Sequence, residues 1–319
     1  MTRTAVRGCL LAACITLTPL AQVRPQPLEQ MAATPSADPR NPIVMGWWGT
    51  TAGFGAPIGR EWLGDLKSRG WEVIRQDVQY LAVDRIAPLV AEIQDAGFRP
   101  FLLMTAAQTP HVPRGIDVNM LDAPDPTPGG MEPWLRVSAE SYAAAINAAM
   151  PHARARGLRV WVGFVHIGEA QPMAWFRRVF PLLDPDVRIC VNRYPPGGAT
   201  TFNASNLGGR EKEMSAFKTI IGTRPWCVSE VGWHQGPLKH WHQRLFGGHY
   251  HLTDAQIAGL ARQEAAYWQR HGAEMMCWYQ VQDEPDRCPQ HPNMPLTWQG
   301  GFGLRRPSGW KQVSTVPMQ

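Results

Sequence analysis

The chain has 319 residues, 44% of them hydrophobic, and a formal charge of +5, enough apolar content for a substantial core and no compositional sign of disorder. Setting aside Arg3 and Arg7 lowers the charge by two, to about +3, too weak a balance to argue for nucleic acid or a membrane surface as partner. There is no CxxC pair, which excludes a zinc ribbon.

In chain order, Arg3 and Arg7 precede the apolar run "GCLLAACITLTPLA", too short to span a bilayer and patterned like a secretory signal. Residues 1–21 are therefore expected to direct export to the periplasm or outside, with cleavage near Ala21. "LAAC", ending at Cys14, resembles a lipobox, and a lipoprotein anchored there is the alternative. Residues 22–42, rich in proline and small polar side chains, form an expected linker, and residues 43–319 a single domain.

From there strands and helices alternate. "IVMGWW" (43–48), "EVIRQDV" (72–78), "RPFLLMT" (99–105) and "RVWVGFVHI" (159–167) have strand character. Helical spacing marks 59–70, 85–97 and 138–157, the last opening at Ser138 and ending at Gly157. A long loop with prolines and glycines is expected over 106–136. Further strands are "VRICVNRY" (187–194), "PWCVSE" (225–230) and "EMMCWYQV" (274–281), with helices near 173–182, 209–221 and 254–271. That makes seven strands. Near-continuous apolar strands between helices predict a parallel sheet, most simply a (β/α)8 TIM barrel with room for one truncated β-α unit. The unplaced strand is expected between Ala170 and Gly209. The alternative is a doubly wound open sheet, weakened because no Gly-rich nucleotide loop follows any strand.

In a parallel barrel, reactive groups gather past the C-terminal strand ends. Those positions hold Arg75 and Asp77, Glu169, Asn192 and Tyr194, Glu230, and Trp278 with Asp283. Two glutamates at strand ends suit glycoside hydrolysis, in which one carboxylic acid protonates the leaving oxygen while a carboxylate attacks or activates water. Trp48, Trp233, Trp278 and Trp298 offer flat faces for sugar rings. Cys190, Cys227 and Cys277 sit in apolar strands, Cys288 beyond them, with disulfides and buried thiols both open.

"PWCVSEVGW" resembles the nucleophile strand of glycoside hydrolase clan A, in the manner of its families 5 and 39. "LTDAQIAGLARQEAAYWQRHGAEMMCWYQVQDE" (252–284) is similar to the clan's last helix and strand, and "GFGLRRPSGWK" (301–311) to its closing segment. The resemblance implies a retaining enzyme without cofactor, acting on a carbohydrate, with Glu230 as nucleophile and Glu169 as acid/base at the end of the fourth strand. It also implies Arg75 beside the nucleophile, Tyr194 on the sixth strand contacting it, and Trp278 as aromatic floor. Asn192, Trp233, Asp283 and Trp48 complete the expected substrate site. The clan has Asn-Glu at the acid/base, whereas Gly168 precedes Glu169 here; Asn192 is the substitute for the missing asparagine, and Asp77 the next candidate for the acid.

That departure keeps open a sugar-binding barrel without catalysis. A third reading is a metal-dependent exported hydrolase using His234, His240, His242, His249 and His251, although no neighbouring carboxylate or cysteine completes a ligand set, so no metal is expected.

Overall fold

A computed structural model of the protein describes residues 48–51, 58, 60–120, 137–165, 170–194, 204–233, 252–279, 305–306 and 309–318. The expected signal, linker and histidine-rich segment lie outside these residues.

Eight parallel strands close into a barrel, with β8 returning to pair with β1. They are β1 (Trp48–Thr51), β2 (Val73–Asp77), β3 (Arg99–Met104), β4 (Asp117–Met120), β5 (Arg159–Val165), β6 (Arg188–Asn192), β7 (Trp226–Val231) and β8 (Met276–Tyr279). Among the described residues the α-helices are α1 (Arg60–Ser68), α2 (Val83–Asp95), α3 (Ala139–Ala155), α4 (Ala170–Val179), α5 (Ala204–Ile221) and α6 (Asp254–Arg270). Six of the strands and the six described helices match the sequence expectation closely, whereas β1 meets its expected range, 43–48, only at Trp48, residues 43–47 lying outside the described ones. The Ser138 hydroxyl caps α3 by accepting from the Ser141 N–H, and Gly157 past its end sits at φ 64°, a conformation that disfavours a Cβ.

The missing strand is β4, within the stretch expected to be loop, not between Ala170 and Gly209. Two physical reasons hid it. The connection from β3 is a 3-10 turn (Ala106–His111) rather than a helix, so this is the truncated β-α unit. The strand itself is four residues, "DVNM", whose inward positions are the polar Asp117 and Asn119. Asp117 is nevertheless buried because Arg159 Nε and Trp161 Nε1 each donate to its Oδ1 at 2.8 Å. One consequence is a renumbering: "RVWVGFVHI" is the fifth strand, not the fourth, so Glu169 follows β5. The span from Glu169 to Glu230 is short because it holds only β6 and β7.

Alternation along the strands divides the core in two. Val73, Phe101, Trp161, Cys190, Cys227, Met275 and Cys277 form one cluster inside the barrel. Outward residues such as Ile74, Leu102, Val118, Ile189 and Met276 pack with helical Leu66, Ile86, Ile146 and Phe217 in the larger outer cluster. Each such buried side chain contributes about 1.5–3 kcal/mol of apolar transfer, which is what holds the helix layer on the barrel. A 3-10 segment (Gln312–Met318) occupies the place of a helix after β8, where the Ser314 carbonyl accepts from Trp71 Nε1 at 2.8 Å.

Candidate active site

Glu230 lies at the C-terminal end of β7, paired with Asn192 of β6 after a shift in register. Its two carboxylate oxygens are held from two sides. Arg75 Nη1, from β2, donates to Oε1 at 2.8 Å, and the Tyr194 hydroxyl, just past β6, donates to Oε2 at 2.7 Å. The Arg75 side chain is 1% exposed and that of Glu230 10%, so the carboxylate is the end of the pair that meets the barrel mouth. The arrangement follows from strand parity: Val73, Arg75 and Asp77 alternate inward on β2, and the guanidinium reaches across the interior.

Burial, and after it the Glu230 charge, hold the Tyr194 phenol well above its usual range. Tyr194 therefore remains a protonated donor, and with Arg75 it supplies two charge-assisted hydrogen bonds to the anion. The Tyr194 ring meets Tyr279 of β8 edge-on, with centroids 6.0 Å apart.

Asn119 of β4 joins this group. Its Oδ1 accepts from Arg75 Nη2 at 3.3 Å, and because arginine can only donate, the amide orientation follows: Nδ2 points the other way, buried and with no protein partner. Asn119 is fully buried, so this donor is an unsatisfied group of the barrel interior behind the Arg75–Glu230 pair. Sequence reading missed Asn119 because it missed β4.

The remaining expected residues divide. Asn192 is buried, and its Oδ1 accepts from the Ser229 hydroxyl at 2.6 Å, a brace between β6 and β7. Asp77 is nearly buried at the end of β2, with Oδ1 accepting the Gln79 N–H at 2.9 Å. Two tryptophans correct the expectation. Trp278 packs in the outer cluster behind the barrel wall, so the inward aromatic on β8 is the next residue, Tyr279; the one-residue alternation of a strand makes the difference. Trp233 is 2% exposed and donates its indole N–H to Glu264 Oε1 at 3.0 Å, a buried anchor rather than an open sugar platform. Trp48 opens β1 opposite Met276; its side chain, with Glu169, Asp283 and Trp298, lies outside the described residues.

Cys190, Cys227 and Cys277 are buried free thiols; Cys288 lies outside the described residues. Among the described residues no group of three or more His, Cys, Asp or Glu could hold a metal ion, and no helix is long and apolar enough to cross a membrane.

No protein-family model and no curated protein matches the sequence. The barrel is similar to solved glycoside hydrolases. A β-glucuronidase from Ruminococcus gnavus in complex with D-glucuronic acid superposes with a TM-score of 0.55 at 13% identity, over 86% of this chain and 48% of that one. A GH10 endoxylanase retrieved from a sugarcane soil metagenome does so with 0.53 at 9% identity, over 85% of this chain and 95% of that one. The chain thus spans about half the length of the β-glucuronidase and nearly all of the endoxylanase. At these identities the likeness is one of fold: a glycosidase-like (β/α) barrel.

Proposed function

We propose that the protein is an exported glycoside hydrolase of clan A that cleaves β-glycosidic bonds in a poly- or oligosaccharide with retention. The observation that carries this reading is the Glu230 carboxylate at the mouth of the barrel, with Arg75 on one oxygen and Tyr194 on the other. A carboxylate so held is kept ionised and aimed, as a nucleophile must be. Glu230 attacks the anomeric carbon while Glu169, on the β5–α4 connection, protonates the leaving oxygen; water then releases the glycosyl-enzyme with Glu169 acting as base. Asn119 Oδ1 orients Arg75 by accepting from its Nη2, and Tyr279 supplies the aromatic wall. Export rests on residues 1–21.

The test is Glu230→Gln and Glu169→Gln assayed on β-linked polysaccharides and activated aryl glycosides. Each should lose turnover by several orders of magnitude; wild-type turnover in either variant removes that residue from the mechanism. If Glu169→Gln is active, Asp77→Asn is the next variant.

One observation favours a second reading, a sugar-binding barrel without catalysis. The resemblance places the acid/base at the end of the fourth strand, but β4 ends in Asn119-Met120, and Met120 is fully buried in the outer cluster. This reading expects glycan binding that survives Glu230→Gln and no product from the wild type.

A further inference from the structure

Behind β7, on the helix side, lies an ion pair that the proposed chemistry does not use. Arg210 of α5 and Glu264 of α6 form a two-pronged pair, Nη1 to Oε2 and Nη2 to Oε1, each at 2.7 Å. Their side chains are 3% and 0% exposed. The guanidinium also packs over the rings of Tyr267 and Trp268, 5.8 Å from each centroid. Glu264 Oε1 then accepts a third hydrogen bond, from the indole of Trp233 at 3.0 Å.

Trp233 is three residues past Glu230, where the strand ladder is irregular. The register shifts between Val191 and Asn192 on the β6 side and between Val228 and Val231 on the β8 side, although Arg193 N–H still donates to the Glu230 carbonyl at 2.9 Å. The Trp233 anchor adds a side-chain tie to that ladder. It ties that end to both flanking helices at one buried point. A buried ion pair is a poor device for stability, since removing two charges from water costs about as much as their attraction returns. Its fixed, directional geometry suits the holding of a neighbour in place.

We propose that Arg210 and Glu264 are positioning residues which, through the Trp233 indole, hold the end of β7 so that the Glu230 carboxylate meets Arg75 and Tyr194. The catalytic part of this inference rests on the proposed function; the positional part does not.

The test is Trp233→Phe, which removes the indole N–H together with part of the ring system and so leaves a small cavity, beside the double variant Arg210→Met/Glu264→Met, which replaces the pair by apolar side chains of similar length and keeps the indole. Two readouts are taken. The first is the titration of Glu230 by NMR on protein carrying 13C-labelled glutamate, with the resonance assigned by its loss in Glu230→Gln; it needs no substrate. In both variants Glu230 should titrate at higher pH than in the wild type, because its two donors are no longer aligned on it, while the melting temperature stays within a few degrees. An unchanged Glu230 titration in a folded variant overturns the proposal. The second readout is turnover of an aryl glycoside: kcat should fall roughly 10- to 100-fold with KM little changed, the signature of a misplaced group. A fall only in proportion to lost melting temperature overturns the proposal in favour of a purely structural pair. Absence of turnover by the wild type overturns the glycosidase reading, and the NMR titration still decides the positioning.

Discussion

Arg75 and Glu230, 155 positions apart in sequence, meet at 2.8 Å inside the barrel, the arginine almost wholly buried and the carboxylate facing the mouth. A buried cation without its partner is costly, so the pair is stable only as a pair, while the partial exposure of Glu230 leaves its carboxylate accessible. Arg75→Met should therefore destabilise the fold by about 3 kcal/mol, because it strips a partly buried carboxylate of its countercharge. The same variant should shift the acidic limb of the kcat/KM profile to higher pH, since the neighbouring cation no longer favours the ionised form. Chemical denaturation and a pH–rate series read the two effects separately.

The hydrogen bond from Tyr194 to Glu230 Oε2 is tested by Tyr194→Phe, which removes one donor and keeps the ring against Tyr279. A loss of about 100-fold in kcat is expected, as for other single donors aimed at a reacting anion. An undiminished kcat would show the bond to be structural only.

The same tyrosine makes a prediction about pH and stability. Its folded pKa is raised above the ordinary value of 10.0, first by burial and then by the Glu230 charge. A raised value means that the unfolded chain loses this proton first. The contribution is therefore fully present below about pH 10 and is lost as pH rises from there toward the folded pKa. Melts of wild type and Tyr194→Phe between pH 8 and 11, about the range spanning that titration, should diverge in slope at the alkaline end, with the wild type losing stability faster.

Asn119→Ala removes the oxygen that accepts from Arg75 Nη2 and leaves Arg75 with Glu230. The expected result is a 10- to 100-fold fall in kcat/KM, about 1–3 kcal/mol of lost transition-state binding, with a smaller change in melting temperature. Equal loss of stability and activity would assign Asn119 to the packing of the barrel interior rather than to the orientation of Arg75.

Burial pushes the Cys227 and Cys277 thiols upward, which keeps them neutral and unreactive in the folded state. Alkylation followed by peptide mapping should leave Cys190, Cys227 and Cys277 unmodified in the native protein and modify all three in denaturant. Labelling of any of them in the native protein at neutral pH would contradict the barrel interior described above.

Much of this protein was readable from local pattern alone. Helical periodicity ending at glycine marked α2 and α3, and apolar runs of five to seven residues marked the long strands, because those signals are consequences of a core face repeating at a fixed period. Glu230, Arg75 and Tyr194 could be singled out because they stand at strand ends, where a parallel barrel collects its polar groups. Local pattern failed where a residue's role depends on what it meets across space. β4 escaped because its inward residues are an aspartate satisfied by Arg159 and Trp161 and an asparagine whose oxygen accepts from Arg75, partners 40 or more positions away. Trp278 and Tyr279 are adjacent letters on opposite faces of one strand, and only the closed barrel decides which of them faces the site. Trp233 looked like an open aromatic until α6 brought Glu264 beneath it. Local pattern thus carries the strand-helix alternation and the strand end that bears Glu230, whereas the closure of the barrel, the donors on the two oxygens of Glu230 and the aromatic that faces it follow from the fold, because hydrogen-bond partners and strand facing are set by the register of distant segments.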